Sequence, residues 1–351
     1  MGLEQQLSGD IINALYAGDS QPLPVSLSNP YSTKAFGMPN TYLAVTEWDQ
    51  SAIPTNWTQT LNGSGAAGVN PQPLPGTMGI YQLASGVTAG GRAAARFATS
   101  ANLLATFTDA NYTSLLFRIQ TPNFPSLLQK TLTFTVVAGT FAALDVITNG
   151  LGASGTIVAI NLATTVITVS FITGTFAIGN TITSGAKSGT VTNVQNGYNS
   201  AFQMGWINTA SQVAGASGNT LAIMYDPANI SGFNPGLITN LFLLARCVTG
   251  QVSGATGNTV LDLGVTQNNS GYDNYEIIYD NLLAQVRVYR NNILLNTLTD
   301  LSNVPGSPTR VIVAGNNLSP TWYAGNSATV ALGTTGITTM MDKTIIYKVF
   351  P

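Results

Sequence analysis

Chemistry in this sequence has to come from carboxylates, because histidine is absent. Without an imidazole there is no Ser-His-Asp or Cys-His catalysis, and most zinc sites are ruled out. Two acidic arrangements stand out. Glu47-Trp48-Asp49 sets two carboxylates at i and i+2. On a strand those positions share a face, and a retaining glycosidase uses two carboxyl groups about 5–5.5 Å apart. Asp273, Glu276 and Asp280 form the densest acidic group, with Asn268, Asn269 and Asn274 beside Asp273. Calcium takes about six to eight oxygens, which this group could contribute; the alternative is capping of turns by Asp and Asn. The single Cys247 lies in the apolar run Leu-Leu-Ala-Arg-Cys-Val and reads as a small buried hydrophobe rather than a nucleophile. No Gly-rich loop stands in a strand–loop–helix setting with a following Lys, so no nucleotide, and no cofactor of any kind, is expected.

The elements that must position these residues are strands. Only 7% of the 351 residues are charged, against an ordinary ~25%. Polarity comes instead from Gly, Asn, Ser and Thr. With 44% hydrophobic residues and a net charge of −2, the chain is not of disordered composition. Abundant Thr, Val, Ile and Gly fit short strands and tight turns. They also fit an assembly subunit that leaves little surface to free solvent. The 12 basic residues are scattered, which argues against a nucleic-acid partner. No uninterrupted apolar run reaches the ~18 residues of a membrane span, and the N-terminus lacks the pattern of a signal peptide, so no membrane partner is expected.

Residues 3–17 read as a helix, with Leu3, Leu7, Ile11, Ile12 and Leu15 at helical spacing and Gly18 ending the run. That stripe docks either on its own domain or on a neighbouring subunit. Pro22, Pro24, Pro30 and Pro39 make the stretch to residue 40 an extended arm. From Tyr42 the pattern is β. Leu115–Ile119 reads as a central strand, and Trp206, inside Met-Gly-Trp-Ile, as core. Val286–Tyr289 and Ile293–Leu295 flank Asn291-Asn292, a two-residue hairpin turn. An Arg310–Ala314 strand is also expected. Trp322-Tyr323 follows Pro320 and reads as an exposed loop.

Residues 131–197 repeat themselves. Gly139-Thr140-Phe141-Ala142 returns as Gly174-Thr175-Phe176-Ala177, Ile147-Thr148 as Ile182-Thr183, and Ser154-Gly155-Thr156 as Ser188-Gly189-Thr190. Two copies of a three-strand unit folded together are expected, since one copy could not bury its apolar face alone. The domains are then 1–40 (helix and arm), 41–130 plus 198–351 (one β-sandwich), and 131–197 (an insert).

Tyr275–Tyr279 followed by the Asn291-Asn292 hairpin resembles the middle of a concanavalin A-like jelly roll. The opening Trp57–Gly65 and Gly91–Phe97 are similar to that superfamily as well. The resemblance implies an all-β jelly-roll sandwich that binds sugars through exposed aromatics on its concave face, for which Trp322, Tyr323 and Tyr272 are the candidates. Some of its members are glycoside hydrolases. Glu47-Trp48-Asp49 partly resembles the Glu-x-Asp-x-x-Glu signature of the laminarinase-like branch, but position 52 is Ala52. The duplicated insert is similar to small β modules of bacteriophage virion proteins. The expectation is a non-enzymatic structural protein on the virion surface of a tailed phage, assembled in the host cytoplasm: a tail fibre or a capsid decoration protein. Its partners would be other copies of itself, trimers being common for such proteins, and other virion proteins. A carbohydrate-binding adhesin for host surface glycans is the alternative, and a glycoside hydrolase the third reading.

Overall fold

The computed structural model describes residues 41–350 apart from 49–52, 71–79, 87, 89, 98–106, 124–129, 164, 197–199, 209–217, 228, 235–237, 268–270, 314 and 327–336. The expected helix with Leu3, Leu7, Ile11, Ile12 and Leu15 lies outside the described residues, as does Asp49. The first six strands are β1 (Thr41–Glu47), β2 (Trp57–Asn62), β3 (Ala66–Asn70), β4 (Ile80–Ala84), β5 (Arg92–Phe97) and β6 (Tyr112–Asn123). The insert supplies β7 (Lys130–Ala138), β8 (Val146–Thr148), β9 (Ser154–Asn161), β10 (Val166–Thr173), β11 (Thr181–Ser184) and β12 (Lys187–Asn196). The remainder are β13 (Ser200–Ile207), β14 (Thr220–Tyr225), β15 (Phe242–Cys247), β16 (Gly257–Asp262), β17 (Asp273–Asp280), β18 (Gln285–Arg290), β19 (Ile293–Leu298), β20 (Ser319–Asn326) and β21 (Thr338–Val349).

Two antiparallel sheets make an all-β sandwich. The eight-stranded sheet runs β19-β18-β17-β6-β21-β4-β3, with β1 also on β21; the seven-stranded sheet runs β16-β15-β14-β13-β20-β5-β2. One core fills the space between them. Its centre is aromatic: Trp48 meets Trp57 at 4.7 Å, Tyr81 at 5.2 Å and Trp322 at 5.7 Å between ring centroids. Each indole N–H also finds a partner, Trp48 on Thr344, Trp57 on Thr46 and Trp322 on Thr339, as burial of that group requires.

The β18–β19 turn is the two-residue one expected, with φ of 48° at Asn291 and 70° at Asn292. Two expectations fail. Residues 310–313 form no strand, only an isolated bridge from Ile312 to Val252. Trp322-Tyr323 is no loop: it lies in β20, between β13 and β5.

The insert is a closed barrel in the order β10-β7-β12-β11-β8-β9. The two copies are interlocked, since the first strand of each pairs with the third strand of the other (β7 with β12, β10 with β9). The pseudo-two-fold axis passes between equivalent residues. Leu132 pairs with its counterpart Ile167, and Thr148 with its counterpart Thr183. A separate core holds Leu132, Phe134, Phe141, Ile147 and Ile157 from the first copy and Ile167, Val169, Phe176, Ile182 and Val191 from the second. These are equivalent positions, so the repeated sequence is the repeated core. The insert's first and last strands lie side by side, with Lys130 opposite Asn196.

Candidate functional site

One of the sugar-contact candidates, Tyr323, lies on the outward face of the seven-stranded sheet. Strand alternation sends Phe202, Met204, Trp206, Leu221, Ile223, Leu243, Trp322 and Ala324 into the core. The next residues along each strand therefore face outward. One row across the sheet is Asp262, Phe242, Met224, Gln203, Tyr323 and Ala94.

This face is not open. A loop after β14 folds over it, held by a polar knot centred on Asp226. That carboxylate accepts from the backbone N–H groups of Ile230 (2.8 Å) and Ser231 (2.9 Å) and from the Ser231 hydroxyl. Asn234 closes the loop, donating to the carbonyls of Asp226 (2.8 Å) and Ile238 (2.9 Å). The knot presses Ile230 onto Ala94, Ala201 and Tyr323, and Phe233 onto Met224, Phe242 and Leu244. Arg246 stacks 4.6 Å above the Phe233 ring. Burial of Asp226 raises its pKa despite the three donors.

The sequence-derived sugar contacts are thereby corrected. Trp322 is 0% exposed in the inter-sheet core, and Tyr323 is 2% exposed under Ile230. Neither offers a ring to a ligand in this state. Tyr272 is half-buried at the opposite sheet, beneath the Arg118 guanidinium at 5.5 Å, and burial raises its hydroxyl pKa. Trp206 is core, as expected.

The acidic trio is strung along β17 rather than gathered. Seven residues at ~3.3 Å rise put Asp273 and Asp280 roughly 23 Å apart. Asp273 pairs with Arg290 (2.7 Å) and Asn291 (2.6 Å), Glu276 accepts from Ser114 (2.5 Å), and Asp280 pairs with Arg287 (3.0 Å). Each carboxylate thus has partners of its own. Among the described residues no three His, Cys, Asp or Glu side chains come together to hold a metal. Trp48 of the Glu-Trp-Asp stretch is core, and Glu47 ends β1 opposite Lys343. Cys247 is buried, which pushes its thiol pKa up to about 11.

Sequence reasoning missed Gln203. It is 0% exposed, sits between Tyr323 and Met224, and both ends of its amide lack a hydrogen-bond partner. It also missed the knot, for which Asp226, Asn229, Ser231 and Asn234 were a readable Asx-turn signal.

No known protein family and no curated protein matches the chain. Among solved structures it is similar to the Emp46p carbohydrate recognition domain in its potassium-bound form (8% identity, 85% of this chain and 90% of that one, TM-score 0.40). It is also similar to peanut lectin with a nine-residue peptide (11%, 89% and 98%, TM-score 0.42). A third is a Bacteroides ovatus GH16 protein in complex with a mixed-linkage glucan product (8%, 86% and 99%, TM-score 0.41). Identities this low supply no residue-by-residue correspondence.

Proposed function

We propose that this chain is a non-enzymatic structural protein of a tailed-phage virion, displayed on the particle as a tail appendage or a capsid decoration. The observation that carries this reading is the surface of the barrel. Its lone acid, Asp145, is neutralised by Lys187 at 2.6 Å. Large apolar side chains stand exposed around it: Val136, Val137, Leu144, Val146, Leu151, Leu162 and Ile178. Exposed apolar surface on a neutral module is suited to contact with another protein and poorly suited to acid–base chemistry. In the sandwich Asp273 and Asp280 are held in ion pairs, Glu276 accepts from Ser114, and Asp226 is held in its turn. Self-association fits β19, an edge strand without a single charge that exposes Ile293 and Leu294; it lacks the charged side chains that commonly oppose edge-to-edge pairing. Mass spectrometry of purified particles, with immunogold labelling against the barrel, tests the reading. The chain should be a stoichiometric component with label on the outside. Its absence from particles, or turnover of a polysaccharide by the purified protein, sinks it.

Gln203 favours a second reading, an adhesin for host surface glycans. A buried amide with an idle donor and an idle acceptor suits a hydroxyl-rich ligand that enters when the 226–234 loop lifts. Glycan-array binding that Gln203→Leu abolishes would support it; a silent wild-type protein would end it.

A further inference from the structure

The two copies in the barrel agree inside and differ outside, and the differences gather on one flank. Before and into β8 the first copy reads Leu144-Asp145-Val146; the equivalent residues of the second are Gly179-Asn180-Thr181. The two turns share a backbone. Leu144 and Gly179 both hold a positive φ, 73° and 86°. The side-chain oxygens of Asp145 and Asn180 accept from the equivalent backbone N–H groups of Ala142 (2.7 Å) and Ala177 (2.8 Å). What the turns present is different. Leu144 is 78% exposed and Val146 58%, where the second copy has a glycine and a threonine. Asp145 pairs with Lys187 at 2.6 Å, whereas Asn180 accepts from the Asn149 amide. Val137, also exposed, extends the patch past Lys187, since its neighbour Ala138 lies opposite Ser188. Leu144 stands out energetically. A left-handed backbone strains a leucine and costs glycine nothing. Folding of a single chain returns little for that strain, because the side chain stays in water.

We propose that this flank is a two-fold contact with a second copy of the chain, centred on Leu144, Val146 and Val137, in which Asp145 faces Lys187 of the partner subunit. Strain retained at an exposed position points to use of the side chain, and burial of Leu144 against a partner would repay it. The charge pattern selects the occupant. With one acid and one base the flank is neutral, so it offers no single-signed field to a charged partner. Under a two-fold axis residue i meets j while j meets i; the flank therefore carries both halves of its own complement. Divergence of the second copy also has a role. A barrel with Leu-Asp-Val on both flanks would present two such faces and link into open chains, whereas one face closes the contact at two subunits. This names the partner of the contact surface proposed above and rests on that reading of the barrel, but it does not require a virion.

Sedimentation of the full chain over a concentration series tests it. The wild-type protein should dimerise, and Leu144→Gly should weaken the dimer by about tenfold or more. Charge exchange then identifies the partner. Asp145→Lys leaves two bases on the flank and Lys187→Asp leaves two acids. Each variant alone should sediment as a monomer, and an equimolar mixture should recover a heterodimer, because each supplies the charge the other lacks. Recovery on mixing also shows that both variants are folded. A wild-type protein that stays monomeric, a dimer that Leu144→Gly leaves intact, or a mixture that stays monomeric while circular dichroism shows both variants folded would each overturn the proposal. The virion reading fails separately. A monomer found in purified particles would remove the two-fold contact and keep that reading, while a charge-exchangeable dimer absent from particles would do the reverse.

Discussion

The sandwich and the barrel handle apolar residues in opposite ways. In the sandwich, β13, β14 and β20 are buried along their whole length, because the Asp226 loop adds a layer outside the sheet. In the barrel the strands bury one face only, around a small closed core, and apolar side chains remain outside. A sheet that must be solid on both sides spends its sequence on fit. A closed barrel with no free edge keeps its outer surface available for contact.

The sharpest way to break this contrast is Trp322→Ala. Removing a fully buried indole that meets Trp48 and Tyr81 should cost the sandwich about 4 kcal/mol. Urea unfolding followed by hydrogen exchange should report the loss in the sandwich and leave barrel amides unchanged; equal losses in both would make them one cooperative unit. Gly189→Ala is the barrel's counterpart. The added Cβ would lie 2.7 Å from a Phe134 ring carbon and 3.2 Å from the Thr135 carbonyl. The expected loss is about 1–3 kcal/mol, confined to the barrel in the same experiment.

Acid should separate the two regions by sign. Burial raises the Asp226 pKa, so its ionisation costs stability at neutral pH and that cost is relieved as pH falls through the raised value. Its hydrogen bond with Lys187, first among the causes, lowers the Asp145 pKa from the ordinary 3.8. That contribution is present above 3.8 and is lost as pH falls through the lowered value; for a surface pair of this kind it is at most about 1 kcal/mol. Amide exchange between pH 3 and 7 should show Ile230 gaining protection on mild acidification and Ile157 losing it only at the acid end. Asp226→Asn should abolish the first trend alone.

The smallest effect compares the barrel's own two copies. Leu144 holds φ 73°, and its counterpart Gly179 holds 86°. Both donate to the matching strand, Leu144 to Ile157 (2.7 Å) and Gly179 to Val191 (2.8 Å). Leu144 is 78% exposed, so it gains little from burial. Leu144→Gly should stabilise the barrel by up to about 1 kcal/mol, the left-handed strain of ~1–2 less the extra freedom of unfolded glycine. A lower melting temperature would mean that the leucine side chain contributes a contact.

Local chemistry was legible in the sequence and partnership was not. The Asn291-Asn292 turn could be read because two adjacent residues determine it. The repeat could be read because equivalent core positions recur in register. That β7 would pair with β12 rather than within its own copy leaves no periodic trace. Trp322-Tyr323 was misread because Pro320 signalled a loop. A proline near the start of a strand is tolerated, and Pro320 sits in the ladder opposite Trp206. The candidate sugar site failed for a related reason. Alternation assigns residues to faces but does not reveal that a loop some twenty residues on will cover one of them. Gln203 carried no local signal at all.

Lys130 faces Asn196 across a single strand spacing. Once the barrel has formed, the chain between β6 and β13 behaves in folding as a short tether, because most of its loop-closure entropy has already been spent inside the insert. Early formation of the barrel would thus speed sandwich assembly, and a slow-folding barrel variant would delay it without altering its final stability.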